Sequence, residues 1–170
     1  MTTSPSSLSN LTCKNDAVEI RDYVDSDRDA FERFNRAWLE KYFSVEPIDA
    51  GMFADPRKTI LDKGGKIFVA CIDNIPVGVC ALKTKDENAY ELSKMGVDSA
   101  QKGKGIAKLL TQQAISVARA EKKNQIIIYS NRILENALRI YRDCGFVEIP
   151  LTDEDKKLYA RGDIKLELVL

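Results

Sequence analysis

Gly103 and Gly105 fall in the stretch Val97-Asp-Ser-Ala-Gln-Lys-Gly-Lys-Gly-Ile-Ala107, between a run that reads as a strand and one that reads as a helix. A loop in that position aims several backbone N–H groups at one spot, at the positive end of the helix dipole. Glycine permits positive φ and the close approach of another group to the backbone, while Lys102 and Lys104 add positive charge. The guest such a loop suits is a phosphate or pyrophosphate. The loop is not a P-loop, because the Gly-Lys-Ser/Thr ending is absent. It is not a dinucleotide fingerprint either, because Lys108 stands where the third glycine belongs. Taken alone, it also reads as a plain glycine turn that caps a helix.

Composition bounds the rest of the chemistry. The chain has 170 residues, 44% hydrophobic and 31% charged, which fits one ordinary globular domain with a sizeable core. It contains no histidine, which removes histidine-based zinc sites and triads with a histidine base. Cys13, Cys71, Cys80 and Cys144 lack metal-ligand spacing and are expected as reduced thiols in a cytoplasmic protein, with Cys71 and Cys80 as small core residues. Lysine and arginine number 26, as do aspartate and glutamate, so no basic excess points to nucleic acid or an anionic membrane. No run approaches the roughly 18 apolar residues that cross a bilayer. The start is rich in serine and threonine without a basic or hydrophobic leader, so residues 1–16 are expected as a disordered tail and 17–170 as the domain.

The elements that must position the loop follow from periodicity. A short strand is expected near 17–23, then a helix with Phe31, Phe34, Trp38 and Tyr42 on one aromatic face, capped by Asp25 or Ser26. Pro47 opens a second helical segment that Pro56 should interrupt. Strands are expected at 66–72, 76–83 and 89–97, the first two joined at Asp73-Asn74. A long helix follows the loop with Ile106, Leu110, Ala114 and Val117 as its core stripe. Three consecutive isoleucines in 125–129 imply a strand covered on both faces. A helix over 134–144 ends at Gly145, and strands over 146–149 and 163–170 close an α/β sheet with helices on both faces.

The loop and its successor resemble the GNAT superfamily of acyl-CoA N-acyltransferases. The family's pyrophosphate motif is Gln/Arg-x-x-Gly-x-Gly/Ala, and Lys102-Gly-Lys-Gly105-Ile-Ala107 matches its last two fixed positions, with Lys102 in place of the first. Ala137-Leu-Arg-Ile-Tyr141-Arg-Asp-Cys-Gly145-Phe146 looks like the family's Ala-x-x-x-Tyr-x-x-x-Gly-Phe. Phe34-Asn-Arg-Ala-Trp38, Tyr42-Phe43, Glu91-Leu-Ser-Lys-Met95 and Ser130-Asn131 look like one widespread, mostly uncharacterised branch. The resemblance implies a single-domain, mixed and mostly antiparallel twisted sheet.

It also implies an activity: acetyl-CoA as co-substrate, no metal, and direct transfer to a primary amine, that of a small molecule, in a ternary complex. Met95, Gly96 and Val97 would pair their backbone with the pantetheine arm. Lys102, Gly103, Lys104, Gly105, Ile106 and Ala107 would hold the pyrophosphate, with Asn131 a further coenzyme contact. An amine of pKa about 10.4 needs about 4.6 kcal/mol to lose its proton at pH 7, so a base is required. Glu91 matches the family's glutamate, with a solvated strand-end charge as the competing reading; the alternation of its strand does not decide, since neither face is cleanly apolar. Glu40 and Glu46 are weaker candidates. Tyr141 matches the tyrosine that protonates the departing thiolate, against a core tyrosine. Trp38 and Tyr42 are candidates for the acceptor pocket, as are Tyr159 and Arg161 for an acceptor carboxylate. A non-catalytic acyl-CoA sensor and a protein N-acetyltransferase are the alternatives on the same fold. The sequence leaves the oligomeric state open.

Overall fold

The computed structural model describes residues 16–170. Its strands are β1 Glu19–Asp22, β2 Lys66–Ile72, β3 Ile75–Thr84, β4 Ala89–Val97, β5 Gln125–Ser130, β6 Val147–Ile149 and β7 Ile164–Val169. Its helices are α1 Arg28–Tyr42, α2 Pro47–Ala54, α3 Pro56–Thr59, α4 Ile106–Ala120, α5 Glu135–Asp143 and α6 Asp153–Leu158. The strands form one seven-stranded sheet in the order β1-β2-β3-β4-β5-β7-β6, antiparallel except between β4 and β5. No described helix is long and apolar enough to cross a membrane. Cys13 and the expected tail up to residue 15 lie outside the described residues.

Strand side chains alternate between faces, and each face has its own core. Phe68, Leu82, Leu92, Ile126 and Leu166 pack under Ile106, Leu110 and Ala114 of α4 and Leu138 and Tyr141 of α5. Val69, Val79 and Ala81 pack on the other side against Phe31, Phe34 and Leu39 of α1. Ile126, Ile127 and Ile128 are all buried, as a strand covered on both sides requires. Cys71 and Cys80 are buried in these cores.

Local chemistry explains the joints. Asp73 and Asn74 both take positive φ, 50° and 63°, the two-residue turn whose twist matches a hairpin. Pro56 does more than end α2. It starts α3, where a missing N–H costs nothing, and the Asp55 side chain caps that turn by accepting from the Lys58 N–H at 2.9 Å. The aromatic face of α1 divides: Phe31 and Phe34 are core, whereas Tyr42 is 40% exposed. α6 is an addition to the elements expected from sequence. Thr152 and Asp155 form a reciprocal capping box, each side chain accepting from the other's backbone N–H at 3.1 and 2.9 Å.

Two irregularities shape the middle of the sheet. Val79 faces Gly96 and Ala81 faces Ser93, so β4 carries one residue more than β3 across that interval. Lys94 lies in this bulge with φ 52°, a left-handed conformation that costs a non-glycine residue about 1–3 kcal/mol. Second, β4 and β5 pair only from Ala89↔Gln125 to Glu91↔Ile127. Beyond Glu91 the two parallel strands share no further pairs, and a cleft opens between them.

Candidate active site

The cleft has a volume of about 610 Å³ and runs from α1 and α2, across the split between β4 and β5, to α5 and the segment after α6. Its floor is Glu91, the last residue of β4 paired with β5, which is 7% exposed despite its charge. A solvated strand-end glutamate is therefore excluded. The Tyr159 hydroxyl donates to Glu91 Oε2 at 2.6 Å, and Lys83 Nζ, opposite Glu91 on β3, lies 3.6 Å from the same oxygen. Burial, then the negative charge of Glu91, pushes the Tyr159 phenol well above its ordinary range, so it remains a donor. The Tyr159 ring stacks on Tyr129 at 4.4 Å.

At the α2 side two cations converge on one carboxylate. Asp49, fully buried, accepts from Lys94 Nζ at 2.5 Å and from both terminal nitrogens of Arg161 at 2.8 Å. Burial alone would raise the Asp49 carboxyl, but the bonds from Arg161 and Lys94 reverse this and hold it well below the usual carboxylate range. The Lys94 ammonium is pushed down by its burial, with Asp49 opposing. Glu46 lies 3.9 Å from Arg161 at the rim and is half-buried.

The other end of the cleft is built from backbone. Met95, Gly96 and Val97 line it with the unpaired edge of β4, and Ser99 and Lys102 continue the wall. Gly103 and Gly105 have φ 81° and 73°, and a Cβ on either would meet nothing within 4 Å, so the space above the loop is open. Gly105 caps the fifteen-residue α4 without any side-chain bond, leaving the first N–H groups of the helix to a ligand. Those features fit a diphosphate at the loop and an extended amide-bearing arm along β4. Tyr141, on α5, also lines the cleft; its burial pushes the phenol well up, and among the described residues its hydroxyl takes no hydrogen bond.

Glu91, Tyr141, Met95, Gly96, Val97, Lys102, Asn131, Trp38 and Tyr42 thus share one cleft, with Tyr159 and Arg161. Gly103, Lys104, Gly105, Ile106 and Ala107 adjoin it as the loop and first turn of α4 rather than as its lining. Gly96 also has a packing reason: a Cβ there would come 2.7 Å from the backbone carbonyl of Phe34, so α1 sits directly on β4. The Asn131 amide is spent on structure, donating to Arg161 O at 2.7 Å and accepting from Ile133 N at 3.0 Å. Glu40 is exposed, pairs with Arg36 at 3.5 Å and does not reach the cleft. Sequence reasoning missed Asp49, Lys83 and Lys94. Of these, only Asp49 carried a local signal, an acidic residue in the first turn behind Pro47, and that reads as helix capping.

The chain is similar to known proteins over most of its length. Residues 27–146 match the model of the acetyltransferase (GNAT) family. The human N-acetylaspartate synthetase is 31% identical over 124 residues, covering 68% of this chain and 41% of that protein. The rat N-acetyltransferase 8F1 is 31% identical over 98 residues, 55% of this chain and 44% of that one. The chain therefore spans less than half the length of these curated relatives. Among solved structures, a GNAT-family acetyltransferase from Staphylococcus aureus superposes with a TM-score of 0.80 at 21% identity, covering 91% of this chain and 99% of its own. A putative acetyltransferase from Salmonella typhimurium, solved with its cofactor acetyl-CoA, gives 0.68 at 18% identity, covering 91% and 94%. With its family model matched across both the split strands and the glycine loop, the chain belongs to the acetyltransferase (GNAT) family.

Proposed function

We propose that the chain is an acetyl-CoA-dependent N-acetyltransferase that acetylates the primary amine of a carboxylate-bearing small molecule by direct transfer in a ternary complex. The observation that carries this reading is Glu91: a buried carboxylate on the floor of the cleft where β4 and β5 part, with Tyr141 lining the same space. Bound acetyl-CoA supplies the activated acetyl thioester. The amides after Gly103 hold its diphosphate, and the open edge of β4 at Met95–Val97 aligns its arm. Glu91 takes the proton of the acceptor ammonium, the step that otherwise costs about 4.6 kcal/mol at pH 7. The amine nitrogen then bonds to the carbonyl carbon as the carbon–sulfur bond breaks; the Tyr141 hydroxyl protonates the departing sulfur, and the second proton that the nitrogen sheds as the amide forms restores that hydroxyl.

The acceptor's carboxylate is inferred from charge. Lys94 and Arg161 share one buried anion, Asp49, so inside the cleft one positive charge is matched only by Glu46, 3.9 Å from Arg161 at the half-buried rim. A carboxylate on the acceptor would balance it. The relatives named N-acetylaspartate synthetase support an amino-acid acceptor. The test is a coenzyme A release assay over amino acids, simple amines without a carboxylate, and peptides, each run beside Tyr141→Phe. Turnover with an amino acid, and less with its decarboxylated amine, is expected. Acetyl-CoA binding without turnover on any acceptor would overturn the enzyme reading in favour of a sensor.

A further inference from the structure

Glu91 has two oxygens with different surroundings. Oε2 accepts from Tyr159 at 2.6 Å and lies 3.6 Å from Lys83 Nζ. Oε1 takes no hydrogen bond among the described residues, yet it is not a sealed, unpaired atom, so it keeps access to the cleft. A glutamate carboxylate turns freely about its last torsion unless something pins it.

We propose that Tyr159 is a positioning residue for Glu91, fixing one carboxylate oxygen so that the other is presented to the acceptor amine. The inference rests on the acetyl-transfer reading above. Tyr159 is held independently of the glutamate it orients. Its ring lies at 20° to Tyr129, and the Tyr129 hydroxyl donates to Asp155 at 2.7 Å while accepting from Lys85 at 2.8 Å. Asp155 is fixed in turn by Lys165 Nζ at 2.7 Å and by the Thr152 N–H at 2.9 Å. The Tyr159 N–H closes the C-terminal end of α6 on Asp155 O at 3.0 Å. A rigid chain of contacts therefore runs from β7 through α6 to the catalytic carboxylate.

The groups that bear on Glu91 are Lys83 from β3, Tyr129 from β5 with Asp155 behind it, and Tyr159 from the segment after α6. Tyr159 alone among them makes a short hydrogen bond to it. Without that bond, Lys83 would be the remaining partner of the carboxylate and would draw it towards β3, away from the acceptor.

The experiment compares the purified full chain with Tyr159→Phe, which keeps the stacked ring and deletes only the hydroxyl. With the best acceptor from the amine panel, kcat should fall about 10-fold and the KM for acetyl-CoA should hold. The acid limb of the kcat profile should move up, since a carboxylate that loses a donated hydrogen bond holds its proton more readily. Tyr129→Phe, which keeps both rings but frees Asp155, should shift the limb in the same direction by less. A folded Tyr159→Phe enzyme whose kcat and acid limb superimpose on wild type overturns the inference while leaving acetyl transfer intact. A wild-type chain that turns over no acceptor overturns the acetyl-transfer reading itself.

Discussion

Replacing Asp49 by asparagine keeps the shape of the inner face of α2 and removes the one charge that Lys94 and Arg161 share. Water cannot substitute: the Asp49 side chain is fully buried, that of Lys94 10% exposed and that of Arg161 23% exposed. Removing one partner of a buried ion pair costs about 3–5 kcal/mol, because an uncompensated charge stays behind. Lys94 loses its one anionic partner here and Arg161 keeps only Glu46 at the rim, so the upper part of that range is expected. At about 2–4 °C per kcal/mol for a domain of this size, the melting midpoint at pH 7 should fall by roughly 10–15 °C. The pH dependence carries the sharper test. The folded Asp49 carboxyl lies below its ordinary value of 3.8, so its stabilisation is present above that value and lost as pH falls towards the folded one. The asparagine variant has no such term to lose, and its deficit narrows in acid. In alkali the sign comes from Lys94, whose ammonium burial pushes down against the opposing pull of Asp49. Without Asp49 the amine sheds its proton at still lower pH. A lysine with a depressed folded value gains stability as pH rises towards 10.4, so the deficit narrows there too. Circular-dichroism melts from pH 3 to pH 10 should therefore show the gap widest near neutrality. A midpoint loss under about 3 °C at pH 7 would refute the reasoning, as would a gap constant across the range, which points to packing instead of charge.

Glu91→Gln should lower kcat near pH 7 by about 10²-fold or more, with partial recovery at high pH as the acceptor amine loses its own proton; a pH–rate profile parallel to wild type would remove Glu91 as base. Tyr141→Phe should lower kcat about 10-fold with calorimetric acetyl-CoA affinity unchanged, and undiminished turnover would return Tyr141 to the core that its burial already suggests. Arg161→Met leaves Asp49 neutralised by Lys94 alone, so it should cost less than half the stability lost by Asp49→Asn in the same melts. Its acceptor KM should rise about 10-fold or more for a carboxylate-bearing amine and change little for a simple amine, a split that an indirect structural defect would not produce.

The half of the site near the glycine loop was legible because its residues are consecutive. Residues 95–107 fix strand edge, turn and helix start by local backbone geometry, and positive φ at Gly103 and Gly105 is a property a sequence announces. The α6 capping box, Thr152 and Asp155 three residues apart, is a local signal that the sequence reading passed over. The acceptor half was legible only in part: Tyr159 and Arg161 were named for an acceptor carboxylate, whereas Asp49, Lys83 and Lys94 come from α2, β3 and β4, and no spacing relates them. Nor does composition mark Lys94: a lysine in a strand reads as solvated until its neighbour is known. Asn131, expected at the coenzyme, lines the cleft and also donates to the Arg161 carbonyl, a contact across thirty residues.

The bulge at Lys94 explains why β4 in particular resisted reading. In an unbroken strand, Glu91, Ser93, Met95 and Val97 would share one face. Here Tyr90 and Leu92 pack towards α4, and beyond the extra residue Met95 and Val97 join them. Gly96 instead turns to α1, against the Phe34 backbone, and Lys94 is left over to reach Asp49 on α2. A single inserted residue thus resets the alternation midway. It lets one strand place a carboxylate on the floor, bring α1 down onto its backbone and send a cation sideways. The hydrophobic pattern of 89–97 looks ambiguous because it is the sum of two patterns offset by one residue. The left-handed strain at Lys94 is held in place by the same ion pair with Asp49 that ties β4 to α2.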